Sequence, residues 1–230
     1  MTNIILLNWF STIISFLKDI SVLVASGVGL YGINSWRRQI KWKKKHDLAE
    51  ETLIAFYNAQ ESFNIIRHPI SFGNEGSSRL KNQNETTEES MLLNERNIVT
   101  ERYETYKEPF LKLKVLKQRF KTLFNKESLE PFDDFNSILN KILLSNSLYY
   151  DRKRDKKLND YNESTLATIN GHMSECESVF RAVWVSSTED EGKDDIKNKI
   201  NKSVEQMETC LQKYLQEQDT LYEKIKRLIT

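Results

Sequence analysis

Residues 20–36 read ISVLVASGVGLYGINSW, 17 positions without a charge, and residues 37–46 read RRQIKWKKKH, with six Lys or Arg and no acid. An apolar run closed by a basic run is the pattern of a helix that crosses a bilayer and is oriented by its cytoplasmic flank. Seventeen helical residues rise about 25 Å, the short end of a hydrocarbon core. Lys18 can snorkel at one end, and Tyr31, Trp36 and Trp42 suit headgroup depth at the other. A buried helix of a soluble domain would leave the basic run unexplained. A cleaved leader is disfavoured too, because the basic residues follow the apolar run and no small-x-small site ends it. The positive-inside rule then keeps the neck and everything after it in the cytoplasm, with the amino terminus outside.

Working towards the amino terminus, residues 4–17, IILLNWFSTIISFL, carry a narrow polar stripe of Asn8, Ser11/Thr12, Ser15 and Lys18/Asp19 at helical spacing. Three arrangements fit: an interfacial helix anchored by Trp9 and Phe10, one helix over 4–36, or two short segments in a hairpin. The interfacial helix is preferred. Inside the span, Ser21, Ala25 and Gly29 recur every four residues, with Gly32 near the same face. Small-residue ridges let helices approach closely in lipid, which favours a homo-oligomer; small residues are also simply common in membrane helices. Arg37, Arg38, Lys41, Trp42, Lys43, Lys44 and Lys45 form a juxtamembrane neck for anionic headgroups. A nucleic-acid patch would want a second aromatic beside Trp42, and none is there.

Beyond the neck the balance changes sign. The chain has 34 Lys plus Arg and 33 Asp plus Glu; residues 47–230 keep 27 basic and 32 acidic, net −5. No bulk charge points to nucleic acid as a partner. Seven Gly and three Pro exclude collagen-like, low-complexity and most turn-rich β architectures. Apolar residues recur at three and four, so the class is all-α: an amino-terminal transmembrane helix, then an antiparallel cytoplasmic helical bundle.

The helices of the body are punctuated by Pro and Gly. The first runs on from the neck to about His68 and stops at Pro69. Residues 70–90 are polar and rich in Gly, Ser and Asn, and are expected to be a long flexible loop. A helix over about 91–124 is kinked or split at Pro109. A third starts near Ser128, with an early Pro131, and Asp151–Lys157 reads as a solvated connection. The fourth carries Leu166, Ile169, Met173, Cys176, Phe180 and Val183 on one face. The last is coiled-coil-like through Val204, Met207, Leu211, Tyr214, Gln218, Leu221, Ile225 and Leu228, with Gln218 the polar core position.

Chemistry-bearing patterns are sparse. Two Cys, Cys176 and Cys210, make neither a disulfide framework nor a cysteine zinc site. His172 and Cys176 lie one turn apart, but two ligands are not a metal site. No phosphate-binding Gly loop, HExxH, GxSxG or CxxC occurs. The acids around Gly192 lack the first Asp and last Glu of a calcium loop and read as an acidic turn. The expectation is therefore no catalytic residue, no metal and no cofactor.

From Leu30 to Gly76 the order is a short span ending in Tyr31-Gly32-Ile33-Asn34-Ser35-Trp36-Arg37-Arg38. A charged helix with Leu48-Ala49 and Leu53 follows, then Ile66-Arg67-His68-Pro69 and Glu75-Gly76. This resembles a group of uncharacterised bacterial single-pass inner-membrane proteins with a helical cytoplasmic domain. The resemblance implies a bacterial inner-membrane location and carries over no catalytic residue. Any functional content would lie in Arg67, Pro69, Glu75 and Gly76, where a helix breaks into the loop; a helix stop with a structural salt bridge explains the same residues. The expected function is a membrane-anchored interaction or scaffold protein, with membrane lipids and a protein or a second copy as partners. A membrane-acting effector, a toxin or phage-defence component that oligomerises through its span, is the alternative.

Overall fold

The computed structural model describes residues 2–124, 129–182 and 193–215. These form α-helices without a strand: α1 (Thr2–Ile66), α2 (Thr87–Tyr106), α3 (Glu108–Leu123), α4 (Glu130–Leu158), α5 (Glu163–Phe180) and α6 (Asp195–Leu215). The chain divides into two units, Met1–Asp47 and Leu48–Thr230.

In the first unit, α1 is unbroken at Lys18–Asp19, where a separate 4–17 helix would have to end, and it has no hairpin turn. Neither residue breaks a helix; each costs less than about 0.7 kcal/mol relative to Ala. Two serines of the apolar run satisfy themselves within the helix. Ser21 donates to the Lys18 carbonyl at 2.7 Å and Ser26 to that of Val22 at 2.8 Å. Every side chain from Phe16 to Trp36 is exposed. An apolar window of the helix has mean hydropathy 1.5 and none of it is buried, so one helix is long and apolar enough to cross a membrane.

The second unit is organised by phenylalanines. The last part of α1 buries Leu48, Ala49, Thr52, Ala55, Phe56, Ala59, Phe63 and Ile66, a stripe at steps of three and four. Phe56 meets Phe132 and Phe135 of α4 edge-on at 5.0 and 4.7 Å, and Phe63 meets Phe110 of α3 at 4.8 Å. Such pairs add about 0.5–1.5 kcal/mol each beyond burial. From α6, Ile196, Ile200, Val204, Met207 and Leu211 close the core. Helix α4 packs against α2, α3, α5 and α6.

Side-chain registers give the helix directions. Glu51 of α1 pairs with Arg119 and Phe63 with Phe110, so α1 and α3 are antiparallel. The pairs Tyr57–Glu208 and Gln60–Asn201 do the same for α1 and α6. Lys157–Glu88 and Asn146–Arg96 set α2 against α4; Lys156–Asn170 and Tyr149–Phe180 set α4 against α5.

Four expectations are corrected or sharpened. Pro109 divides the 91–124 helix into α2 and α3, since it lies in the first turn of α3, where its missing N–H costs nothing. Asp151–Lys157 is not a connection but the last two turns of α4. Its charges are tolerated because they point outward and are tied to α2 through Arg96–Asp151, Lys153–Glu95 and Lys157–Glu88. On α5, Leu166, Ile169, Met173 and Cys176 are only half-buried, while Val179 and Phe180 are sealed. The 70–90 stretch is not a free loop: α2 begins at Thr87, with Thr86 and Glu89 forming a reciprocal capping box. The expectations at Ser128, Val183, Gly192, Gln218, Leu221, Ile225 and Leu228 lie outside the described residues.

Candidate functional site

The segment after α1 is held by three arginines. Arg67, 3% exposed, donates from Nε to the Val179 carbonyl at 2.9 Å and from Nη2 to Ser178 and Arg181 carbonyls at 3.2 and 3.3 Å. Its Nη2 also reaches Asp194 Oδ1 at 3.0 Å. Asp194 in turn accepts the Lys197 N–H at 2.9 Å, capping the start of α6. One buried guanidinium thus joins the ends of α1 and α5 to the beginning of α6.

Arg102 does the corresponding work from α2. It holds Glu75 in a two-pronged pair, Nε–Oε1 at 3.1 Å and Nη2–Oε2 at 2.6 Å. Its remaining N–H groups go to the carbonyls of His68 at 2.6 Å, Ile70 at 2.7 Å and Ile65 at 3.4 Å. All five guanidinium hydrogens are used. The Arg102 hydrogen bonds hold the Glu75 carboxyl below the usual carboxylate range, against the opposing effect of burial. Arg79 donates to both Glu85 oxygens, to Asn94 Oδ1 at 2.8 Å and to Ser90. These hydrogen bonds lower Glu85 to about 2.

Gly76 is where the segment touches α2. Its φ is +84°, and a Cβ there would fall 2.0 Å from the Asn94 carbonyl oxygen. Its N–H donates to Glu101 at 2.6 Å, and Asn97 donates to its carbonyl at 3.2 Å. Only glycine permits this approach. Pro69, half-buried, lies three residues beyond Ile66, the last residue of α1.

Arg67, Pro69, Glu75 and Gly76 are therefore gathered in one region, but through separate partners. Sequence does not single out Arg102, Arg79 or Glu101, and Asp194 enters it only as one of the acids around Gly192. One signal was available: Arg102 lies three residues after Val99, on the buried face of its helix, and a charge there implies an ion pair.

Above this region lies a cleft of about 320 Å³, bounded by Pro69, Val99, Tyr149, Tyr150, Phe180 and Arg181 among others. Lys153 Nζ stands over the rings of Tyr149 and Tyr150, 5.9 and 5.3 Å from their centres, while donating to Glu95 at 2.8 Å. Tyr150 is 5% exposed, and burial, with Glu95 nearby, pushes its hydroxyl up to about 12. A second hollow of about 320 Å³ lies between α3 and α4 over Phe110, Phe132 and Phe135.

In the first unit, Arg37, Arg38, Lys41, Lys43 and Lys44 are exposed. Trp42 and Lys45 are half-buried, and the Trp42 ring lies 5.0 Å from that of His46, one turn on. At Gly29 and Gly32 an added Cβ would meet nothing within 4 Å, so the ridge with Ser21 and Ala25 is open.

The chain matches no family model, no curated protein and no solved structure. Its chemistry must be read from its own residues. Among the described residues no group of three His, Cys, Asp or Glu is placed to hold a metal ion. His172 is half exposed beside Glu175, 3.5 Å away.

Proposed function

We propose that the protein is a membrane-anchored, non-catalytic helical interaction or scaffold module. Its apolar segment spans the inner membrane of a bacterium, its amino terminus is outside, and residues 48–230 face the cytoplasm. The observation that carries this reading is the apolar window of α1, unburied throughout and followed by six basic residues. An apolar surface of that extent marks a membrane or partner contact, and the basic collar after it favours the membrane and supplies the orientation. Anionic headgroups add about 1 kcal/mol per neck residue near the surface. The body offers a partner its grooves and exposed charges.

The test is fractionation followed by protease treatment of spheroplasts. The full chain should sediment with membranes and resist carbonate extraction, and a carboxyl-terminal tag should survive external protease. Recovery in the soluble fraction, or loss of the tag, overturns the proposal.

The open ridge of Ser21, Ala25, Gly29 and Gly32 favours a second reading, an effector that oligomerises through its span. There, Gly29→Leu should abolish crosslinked oligomers and any effect of the protein on membrane potential. An unchanged potential on overexpression of the wild-type chain under every triggering condition refutes it.

A further inference from the structure

We propose that the cleft between the segment after α1, α2, α4 and the end of α5 binds a small organic oxyanion, a phosphate or carboxylate carried on a flat apolar group. The inference concerns the second unit alone and stands whether or not the first crosses a membrane.

The cleft, about 320 Å³, falls within the size range of small-molecule sites. Its walls carry hydrogen-bond capacity that the fold does not use. Tyr150 is 5% exposed as a residue, lines the cleft, and its hydroxyl is not among the sealed polar atoms without a partner, so it keeps some access to the cleft. Raised well above neutral pH by burial, that hydroxyl remains a donor. Lys153 gives one N–H to Glu95 and keeps two. Arg181 gives Nη1 to Glu177 and lays its guanidinium 5.8 Å from the Phe180 ring centre, which leaves its other N–H groups free to face a ligand.

Unspent donors, rather than net charge, select the class of ligand. Arg102, Lys153 and Arg181 line the cleft against one carboxylate, Glu95. Arg102 is saturated by Glu75 and backbone carbonyls and serves only as floor. Each cation already has an acid partner, so the site offers spare donors rather than a large positive field. It should therefore prefer an oxyanion over a cation or a neutral amide, with modest affinity. Tyr149, half-buried and held edge-on to the sealed Phe180 ring at 5.3 Å between centres, supplies an aromatic side for a flat group.

Calorimetric titration of the full chain in detergent tests this with inorganic phosphate, adenosine 5′-monophosphate and benzoate as probes. Saturable binding of at least one is expected, weakened roughly fivefold or more in Tyr150→Phe and in Lys153→Gln, the worth of one hydrogen bond. Tyr150→Phe removes one oxygen and keeps the ring, so its melting temperature should stay close to wild type. Lys114→Gln, in the other hollow, should bind as wild type does. No saturable heat with any probe up to 10 mM (about the weakest useful affinity), or binding unaltered in a folded Tyr150→Phe/Lys153→Gln double variant, overturns the proposal.

Discussion

Replacing Arg67 by Met keeps an unbranched apolar stem, about two atoms shorter, and removes the guanidinium. The variant loses four hydrogen bonds, to Val179, Ser178, Arg181 and Asp194, at a site where both charged side chains are under a tenth exposed. Two effects oppose each other. The guanidinium no longer needs to be stripped of water, which favours the variant. The Asp194 carboxylate, 8% exposed, loses the Arg67 guanidinium, which disfavours it. For a buried pair broken from one side, the second effect wins by about 3–5 kcal/mol. That is a large part of the 5–15 kcal/mol, roughly, that stabilises a domain. Asp194→Asn should cost less, because Asn still accepts the Lys197 N–H at the start of α6. Urea unfolding of the full chain in detergent, followed by far-ultraviolet circular dichroism, gives all four corners of the double-mutant cycle. Coupling above about 1.5 kcal/mol is expected. An Arg67→Met variant within about 1 kcal/mol of wild type, or a coupling near zero, refutes the view that this pair locks α1, α5 and α6.

Three further outcomes follow from the same region. Gly76→Ala should destabilise by about 3 kcal/mol, through positive φ and the clash with Asn94. Gly73→Ala, at φ +55° but in open space, should cost about 1 kcal/mol; equal losses in chemical denaturation would contradict the close approach. Glu85 titrates near 2 when folded against 4.5 in its ordinary state, so its contribution is complete above about pH 4.5 and is lost as pH falls towards 2. Urea midpoints between pH 2 and 6 should therefore fall less steeply in Glu85→Gln than in wild type. Thr86→Ala breaks the capping box of α2 and should cost about 1 kcal/mol by the same assay, with a faster-exchanging Glu89 amide.

Proline was the most legible feature of this sequence. Its effect is local, so the stop after α1 and the division of α2 from α3 needed no knowledge of tertiary partners. Periodicity showed which way α5 faces but not how deep it lies. Leu166, Ile169 and Met173 face inward on a helix that leans on α4, and they stay half-wet. The run at 151–157 was missed because a charged helix face carries no apolar signal. Its partners on α2 are 55 to 69 residues away in sequence: Arg96–Asp151, Lys153–Glu95 and Lys157–Glu88. Order in the 67–86 segment was invisible for the same reason. Its composition is that of a loop, and what fixes it includes Arg102, Asn94, Asn97 and Glu101, all on another helix. The cleft was not legible at all, since it exists only where four separate stretches of chain converge.

Arg67 and Arg102 grip mostly main-chain oxygens: those of residues 178, 179 and 181 for one, and 65, 68 and 70 for the other. Every amino acid presents that same oxygen. The exposed side chains among those six positions, at 68, 70 and 178, can consequently drift under mutation without loosening the joints, provided the two arginines, Glu75 and Asp194 persist. Selection can thus remodel the rim of this corner of the molecule for new encounters while its frame stays put.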